Sequence, residues 1–545
     1  MHLADKKILV VDDQRPFQLM LKGILLSLGA RFVTLVSSGE SAISACKNNE
    51  FDFFFIDYNL GATGKNGRQL LEEIKCRKLM KPDSLFLIVT GESHRPMVLG
   101  ALENQPDDYL MKPFSQNLLK KRLEKSYTKK VFHRDIFIAL QENNLTQAIT
   151  ESRRLLEIGS RYQNYGIRLL SELLCKNKQY NDAEKILTAS LKNKRLTWCI
   201  LQLAHVYYFQ KKYDKTIELI NEVTLESPLH VEAYDILAKA YNKQEKTKLA
   251  FDTVTKACEL SPYSIKRQYF LADMARQCSQ YDVIKNCTKT ILDLSRRAFN
   301  QKQQHVLNYV RSAVDASEFA EDKNSSNRCQ QEASLAIQRC KNEDAIRNNF
   351  KYDDFATLCN ARIEALTGHH FIAKKHFYNV VKQYGDTVSE LPVEMMPDAF
   401  TLLLQIGDFE QAGELIEPLE KLQSGDPYLA SCLEHRKELT QDNRESFNVH
   451  NTEGIKAYTA GQYAQSIDSF VDALQYAPMH TSGALNLIQS IIKQLDSLEN
   501  EDYDLVKLLH KTTRIVEGIK LPNKQHDKYD KLKPQIKKYS PKSVC

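Results

Sequence analysis

The chain is most informative at first for what it lacks. No apolar run approaches about 18 residues, so no segment is long enough to cross a bilayer as a helix. Met1 to Lys7 has no basic-then-apolar layout of a secretory leader. Twelve cysteines are scattered through 545 residues without one C-x-x-C pair. That argues against a zinc site or disulfide framework and for free thiols. Charge of one sign is nearly missing too. A net +6 on this length is too small to imply nucleic acid, and no helix-turn-helix pattern is found. These absences lead to the expectation of a cytoplasmic protein with no membrane insertion and no DNA-binding domain. With 26% charged and 42% hydrophobic residues, the composition is that of globular protein, and the length suits about three to four domains.

What is present begins with Phe51-Asp52-Phe53-Phe54-Phe55-Ile56-Asp57-Tyr58-Asn59-Leu60. An apolar run of strand length without alternation reads as a strand buried on both faces, as in parallel sheets. It ends in Asp57. Ile8 to Val11 ends in Asp12-Asp13, Leu85 to Val89 ends in Thr90, and Asp108 to Met111 ends in Lys112-Pro113-Phe114. Strands at Lys7–Val11, Arg31–Leu35, Asp52–Asp57, Leu85–Val89 and Asp108–Met111 alternate with helical patterns. Those five βα units predict a doubly wound α/β domain with a five-stranded parallel sheet covered on both faces.

In such sheets ligands bind at the carboxyl ends of the strands. The rim there gathers three carboxylates, a hydroxyl and an ammonium. Clustered carboxylates repel one another and favour a hard cation with oxygen ligands, for which Mg²⁺ suits a shallow, watery site. One carboxylate can then act as nucleophile on a phosphoryl group, with Lys112 and Thr90 holding the new anion.

Residues 1–128 closely resemble the receiver domain of two-component response regulators, a flavodoxin-like fold. The resemblance implies that Asp57 accepts the phosphoryl group and that a sensor histidine kinase is the donor. It implies Asp13 and Asp57 as direct Mg²⁺ ligands, Asp12 acting through water and Asn59 through its backbone carbonyl. It also implies Tyr109 as a rotating switch aromatic coupled to Thr90. Asn59 and Glu92, two beyond the acceptor and two beyond the threonine, would tune dephosphorylation; the same pair occurs in fast-cycling chemotaxis receivers. One departure is the stretch Leu60-Gly61-Ala62-Thr63-Gly64-Lys65-Asn66-Gly67. It lacks the family's Met-Pro and is longer by about two residues. No enzyme motif stands outside the receiver, so catalysis is limited to its own phosphoryl transfer and loss.

From Gln116 a helical pattern runs past Phe132 without proline or glycine, so the joint reads as short and semi-rigid. Beyond it the β-branched runs vanish. Pro228 and Pro262 each end a helix, and 262 − 228 = 34. The same step links Leu203-Ala204, Leu237-Ala238 and Leu271-Ala272. This resembles the tetratricopeptide repeat, an all-α solenoid of helix pairs, with about seven to nine units. The expected division is repeats at 129–296, an irregular helical insertion at 297–350, repeats at 351–520, and a basic, disordered tail at 521–545. Within the insertion, Asn324-Ser325-Ser326-Asn327 reads as a loop.

Such arrays bind many unrelated partners. The lysine-rich carboxylate clamp known in some of them is rejected, because Leu201, His205, Ile236, Lys266 and Phe270 stand at its places. Glu364-Ala365-Leu366 and Asp353-Asp354-Phe355 are set aside as chance likenesses to phosphodiesterase motifs. The repeat alignment places Trp198, Leu201, His205, Tyr208, Lys239, Asn242, Tyr269 and Arg276 on the concave side, where they would bind a protein partner; Trp198 fits a core role equally well. The leading reading is therefore a response regulator with a protein-binding array. Its rival is a decoy that competes for a histidine kinase or blocks it. A third, weaker reading uses the lysine tail to bind RNA.

Overall fold

The computed structural model describes residues 2–61, 64–91, 94–296, 298–299, 301–346, 350–385, 387–423, 427–498, 502–517, 521 and 523–539. They form two compact units, 1–301 and 302–545.

In the first unit, strands β1 (Lys7–Val11), β2 (Phe32–Val36), β3 (Phe53–Ile56), β4 (Leu85–Thr90) and β5 (Asp108–Met111) make one parallel sheet in the order β2-β1-β3-β4-β5. Neighbouring residues on each strand point to opposite faces, and both faces are apolar. Ile8, Val10, Phe53, Phe55, Leu85 and Leu87 meet Leu21 and Leu25 of α1 (Arg15–Ser27) and Leu119 and Leu123 of α5 (Gln116–Phe132). On the other face Leu9, Val11, Phe54, Ile56, Phe86 and Ile88 meet α2 (Gly39–Asn48), α3 (Gly67–Cys76) and α4 (Arg95–Glu103). That two-sided cover is why the strand sequences read as continuous apolar runs.

The helical part begins without a break in packing. At the end of α5, His133 is buried, donates from Nδ1 to the Lys129 carbonyl oxygen at 2.8 Å, and lies edge-on to Tyr165. Three helix pairs then repeat at one interval, with first helices starting at Thr197, Val231 and Ile265 and second helices at Tyr213, Thr247 and Tyr281. Each pair turns through one residue with positive φ, Lys211, Glu245 and Ser279 in these three. The next N–H bonds back five residues, as from Lys212 to the Tyr207 carbonyl at 2.8 Å and from Gln280 to that of Ala275 at 2.8 Å. This is the Schellman closure of a helix end. Asn143 and Lys178 make it earlier, and Gly368, Gly407 and Gly461 make it in the second unit, so eight described helix pairs share one turn.

In the second unit, the helices Gln303–Glu318, Tyr352–Leu366, Met396–Ile406 and Pro427–Thr459 are tied by a buried ionic cluster. Arg311 donates to Asp398 at 2.8 Å, Arg362 reaches Asp315 and Asp398, and Arg436 reaches Asp315 and Glu318. Asn324 to Asn327 are helical rather than a loop. They fall in the first turns of the helix Lys323–Cys340, because Asp322 caps it by accepting from the N–H groups of Asn324 and Ser325 at 2.8 and 2.9 Å. The expectation of a disordered 521–545 tail is likewise corrected over its described part. Residues Asn523–Lys538 form a helix, and Tyr529, Leu532, Ile536 and Tyr539 are buried against the helices Thr481–Ser497 and Tyr503–Val516. Its lysines are the other face. No described helix is long and apolar enough to cross a membrane.

Candidate functional site

The register of the sheet brings the chemistry together. Val11 pairs with Val36 on one side and Ile56 on the other. Asp12 donates its N–H to the Val36 carbonyl at 3.2 Å, and Asp57 its own to that of Val11 at 2.8 Å. The two acids therefore leave the sheet side by side. The Lys112 N–H bonds the Thr90 carbonyl at 2.8 Å, which aligns the last two strand ends with them.

Lys112 Nζ reaches Asp12 at 2.6 Å and Asp57 at 2.8 Å. Ligand oxygens of Asp12, Asp13 and Asp57 all lie within 4.8 Å of one another. Asp12 and Asp57 are buried and Asp13 is exposed, so the cluster opens to solvent on one side. Burial raises the pKa of Asp57 most; Lys112 opposes that and the neighbouring Asp12 adds to it. A carboxylate so placed gains from a nearby dication, and the oxygen-only donor set fits Mg²⁺. Thr90 is buried at the end of β4, and Asn59 donates its N–H to Asp57 Oδ1 at 3.4 Å. Tyr109 is half-buried against the core that α4 covers. Glu92 lies outside the described residues.

Several supporting residues escape a reading by strand ends. Gln18 donates to the carbonyls of Asp12 and Val36 at 2.5 and 2.9 Å, clamping two strand ends. The Phe17 ring lies 3.9 Å from Lys112 Nζ. Gly67 opens α3 hard against the end of β3, where a Cβ would fall 2.4 Å from the Asp57 carbonyl oxygen. Asn66 caps the same helix and exchanges hydrogen bonds with Gln69. Asn66 followed three positions later by Gln69, ahead of an apolar helical pattern, is the signal for that cap; Phe17 and Gln18 carry no such signal.

A second meeting point joins α4 to the helix pairs. Leu99 packs with Val231, Tyr234 and Ala257. Gly100 faces Tyr263 so closely that a Cβ would lie 2.7 Å from the ring. Arg267, whose side chain is only 4% exposed, holds Asp235 with two bonds of 2.7 Å and Glu103 at 3.0 Å. Asp107 is paired with Lys130 at 2.7 Å, and Gln141 donates to the Met80 carbonyl at 2.7 Å.

The expected partner surface is only partly available. Leu201 and Arg276 are buried, Leu201 inside the core between adjacent pairs, and neither can meet a partner. Trp198 is half-buried and packs on a core cluster with Leu170, Leu203 and Val206. His205, Tyr208, Asn242 and Tyr269 are half-buried, and Lys239 is exposed.

Residues 8–124 match the family model "Response regulator receiver domain". The chemotaxis protein CheY of Pseudomonas aeruginosa is 30% identical over 22% of this chain and 95% of its own length. Chemotaxis protein CheY-3 of Vibrio cholerae is 31% identical over 22% of this chain and 91% of its own. Among solved structures, the response regulator TrrA of Thermotoga maritima, determined in complex with Mg²⁺-BeF, is 27% identical. It covers 22% of this chain and 98% of its own at a TM-score of 0.20. Through this N-terminal domain, followed by a long all-helical region, the chain belongs to the response regulator receiver family.

Proposed function

We propose that Asp57 accepts a phosphoryl group from a histidine kinase and that its phosphorylation state governs the capture of a protein partner by the helical array. The Lys112 bridge between Asp12 and Asp57, with Asp13 alongside, is the observation that carries this reading. Asp57 Oδ attacks the phosphorus, the P–N bond of the donor phosphohistidine breaks, and the imidazole leaves with the electron pair. Asp13, Asp57 and the Asn59 carbonyl would hold Mg²⁺ directly and Asp12 through water; the ion would neutralise charge on the phosphoryl oxygens. Lys112 moves its charge to a phosphoryl oxygen, and Thr90 donates its hydroxyl to another. Asn59 and Glu92 orient the water that later removes the group. In the Asp57→Asn protein, labelling by a small phosphodonor with Mg²⁺ is lost; in Asp13→Asn it is weakened. Undiminished labelling of Asp57→Asn would overturn the assignment.

Transmission through Thr90 and Tyr109 has a physical route in this arrangement. Tyr109 packs on the core beneath α4, and α4 carries Leu99 and Glu103 into the array. That contact supports an output through the array over the decoy reading, in which the array would need no link to the switch. Capture experiments with wild-type and Asp57→Asn protein separate the two: a phosphorylation-dependent partner other than a kinase supports output, and a kinase as sole partner supports the decoy.

A further inference from the structure

The second unit carries a cleft of about 870 Å³ lined by the helices His370–Val381, Tyr463–Tyr476, Thr481–Ser497 and Tyr503–Val516. It involves the second helices of two pairs, whereas the sequence places partner contacts on first helices near residues 198–276. Its floor is apolar: Val471, Leu474, Leu508 and Ile515 are each half-exposed over the core beneath. Phe371 and Ile372, both 42% exposed, form one wall. The opposite wall is the helix Tyr503–Val516, which presents two parallel rows. Leu508, Thr512 and Ile515 line the cleft, and Lys507, Lys511 and Arg514 run beside them at the same helical spacing. All three cations are exposed, and none has an ion pair among the described residues. Among the described residues the one acid lining the cleft, Glu517, is hydrogen-bonded to Tyr529, and His369 is paired with Glu364 at 2.9 Å.

We propose that this cleft docks an acidic amphipathic helix of a protein partner. From Leu508 to Ile515 the floor runs about 10 Å, the rise from the first to the eighth residue of an incoming helix. That is the reach of anchors at i, i+3, i+4 and i+7, the pattern by which an amphipathic helix fills an apolar groove. The unpaired Lys507, Lys511 and Arg514 then meet carboxylates flanking the apolar stripe, which sets orientation and favours acidic over basic partners.

The test uses the full-length protein and a fluorescent peptide of about 18 residues, long enough to hold a helix, with leucine at the anchor positions and glutamate elsewhere. A companion peptide replaces each glutamate by lysine. Anisotropy titrations at low salt should show the acidic peptide binding at least about tenfold tighter than the basic one. The Lys511→Glu, Arg514→Glu double variant, altered only at exposed positions, should erase or invert that preference. Ile372→Ser should weaken both peptides. No binding of the acidic peptide, equal affinity for the two peptides, or indifference to the charge reversal would overturn the proposal. Binding of phosphatidylserine-containing vesicles in place of the peptide would also overturn it, in favour of a lipid surface.

Discussion

Arg267 and Glu103 stand 3.0 Å apart, although 164 residues separate them in the chain. One belongs to a helix of the array and the other to the last turn of α4, so their ion pair ties the receiver to the repeats at a point remote from the covalent joint. Asp235 completes the clasp from the neighbouring helix pair. The arginine side chain is 4% exposed and the two acids about a quarter, so the clasp is desolvated on one side only.

Removing the arginine should therefore cost less than breaking a fully buried pair, for which about 3–5 kcal/mol is usual. Arg267→Leu is expected to lower unfolding stability by about 2 kcal/mol, measured by denaturant titration. Glu103→Gln keeps the shape and should cost under about 1 kcal/mol. A Gly-Ser insertion after Lys129 should leave partner capture still phosphorylation-dependent, because α4 remains docked. The insertion combined with Leu99→Ala and Glu103→Gln should abolish that dependence. If the insertion alone abolishes it, the α5 joint is the sole route and the α4 contact is passive.

Two aspartates at opposite ends of β3 should respond to pH in opposite directions. Burial works to raise Asp52, but Lys81, the Lys7 N–H and Lys6 outweigh it and hold its pKa below the ordinary carboxylate value. Its contribution to stability is present above the unfolded pKa of about 4 and is lost as pH falls through the lowered folded value. Asp57 is raised instead, chiefly by burial. The folded chain holds that proton more tightly than the unfolded one, so stability from this group falls as pH rises through the raised value. In metal-free buffer at pH 7, Asp52→Asn should be less stable than wild type and Asp57→Asn more stable. Both differences should shrink on acidification, as read from urea midpoints between about pH 7 and pH 3.

The turn shared by the helix pairs predicts where stability can be gained. Glu245 and Ser279 adopt φ of +60° and +56°, which costs an L residue with a side chain roughly 1 kcal/mol. Glu245→Gly and Ser279→Gly should each raise stability by about 0.5–1 kcal/mol. Gly407→Ala should do the reverse, and strongly, because its Cβ would fall 2.3 Å from the Ala477 Cα. Thermal melts of the three variants check the sign of each.

Trp198 packs on the core while remaining half-exposed. Trp198→Ala should cost about 2–3 kcal/mol, short of the full penalty for a buried aromatic. Partner capture measured well below the melting temperature should be nearly unchanged. A large loss of binding in a protein that is still folded would return Trp198 to the binding surface.

How much of this was legible in the sequence depends on range. The sheet and its rim were readable because each strand announces itself by a buried run and Asp12, Asp13, Asp57, Thr90 and Lys112 stand at the end of a strand or one or two positions beyond it. The helix pairs were readable because one interval recurs. The clasp was not, since nothing near Glu103 or Arg267 marks them as partners; only the packing of α4 brings them together. Local composition misled at two places. The Asn-Ser run at 324–327 reads as a loop until Asp322 is seen capping it. The lysines after 520 hide Tyr529, Leu532 and Ile536, whose helical spacing is a core face. Leu201 and Arg276 were misplaced because a repeat alignment fixes a residue's helix but not which neighbour covers it.

The glycine that opens α3 has a consequence for the stretch before it. Gly67 is wedged on the Asp57 backbone and donates its N–H to the Tyr58 carbonyl at 2.8 Å, while Lys65 is fastened to buried Glu73 at 2.9 Å. Tyr58 and Lys65, on either side of the extra length, are thus both held in place. Exchanges there are expected to leave the Asp57 carboxylate where it is, so under the proposed phosphotransfer the segment would work as an interchangeable fitting: the outline offered to a phosphodonor could diverge while the chemistry behind it stays put.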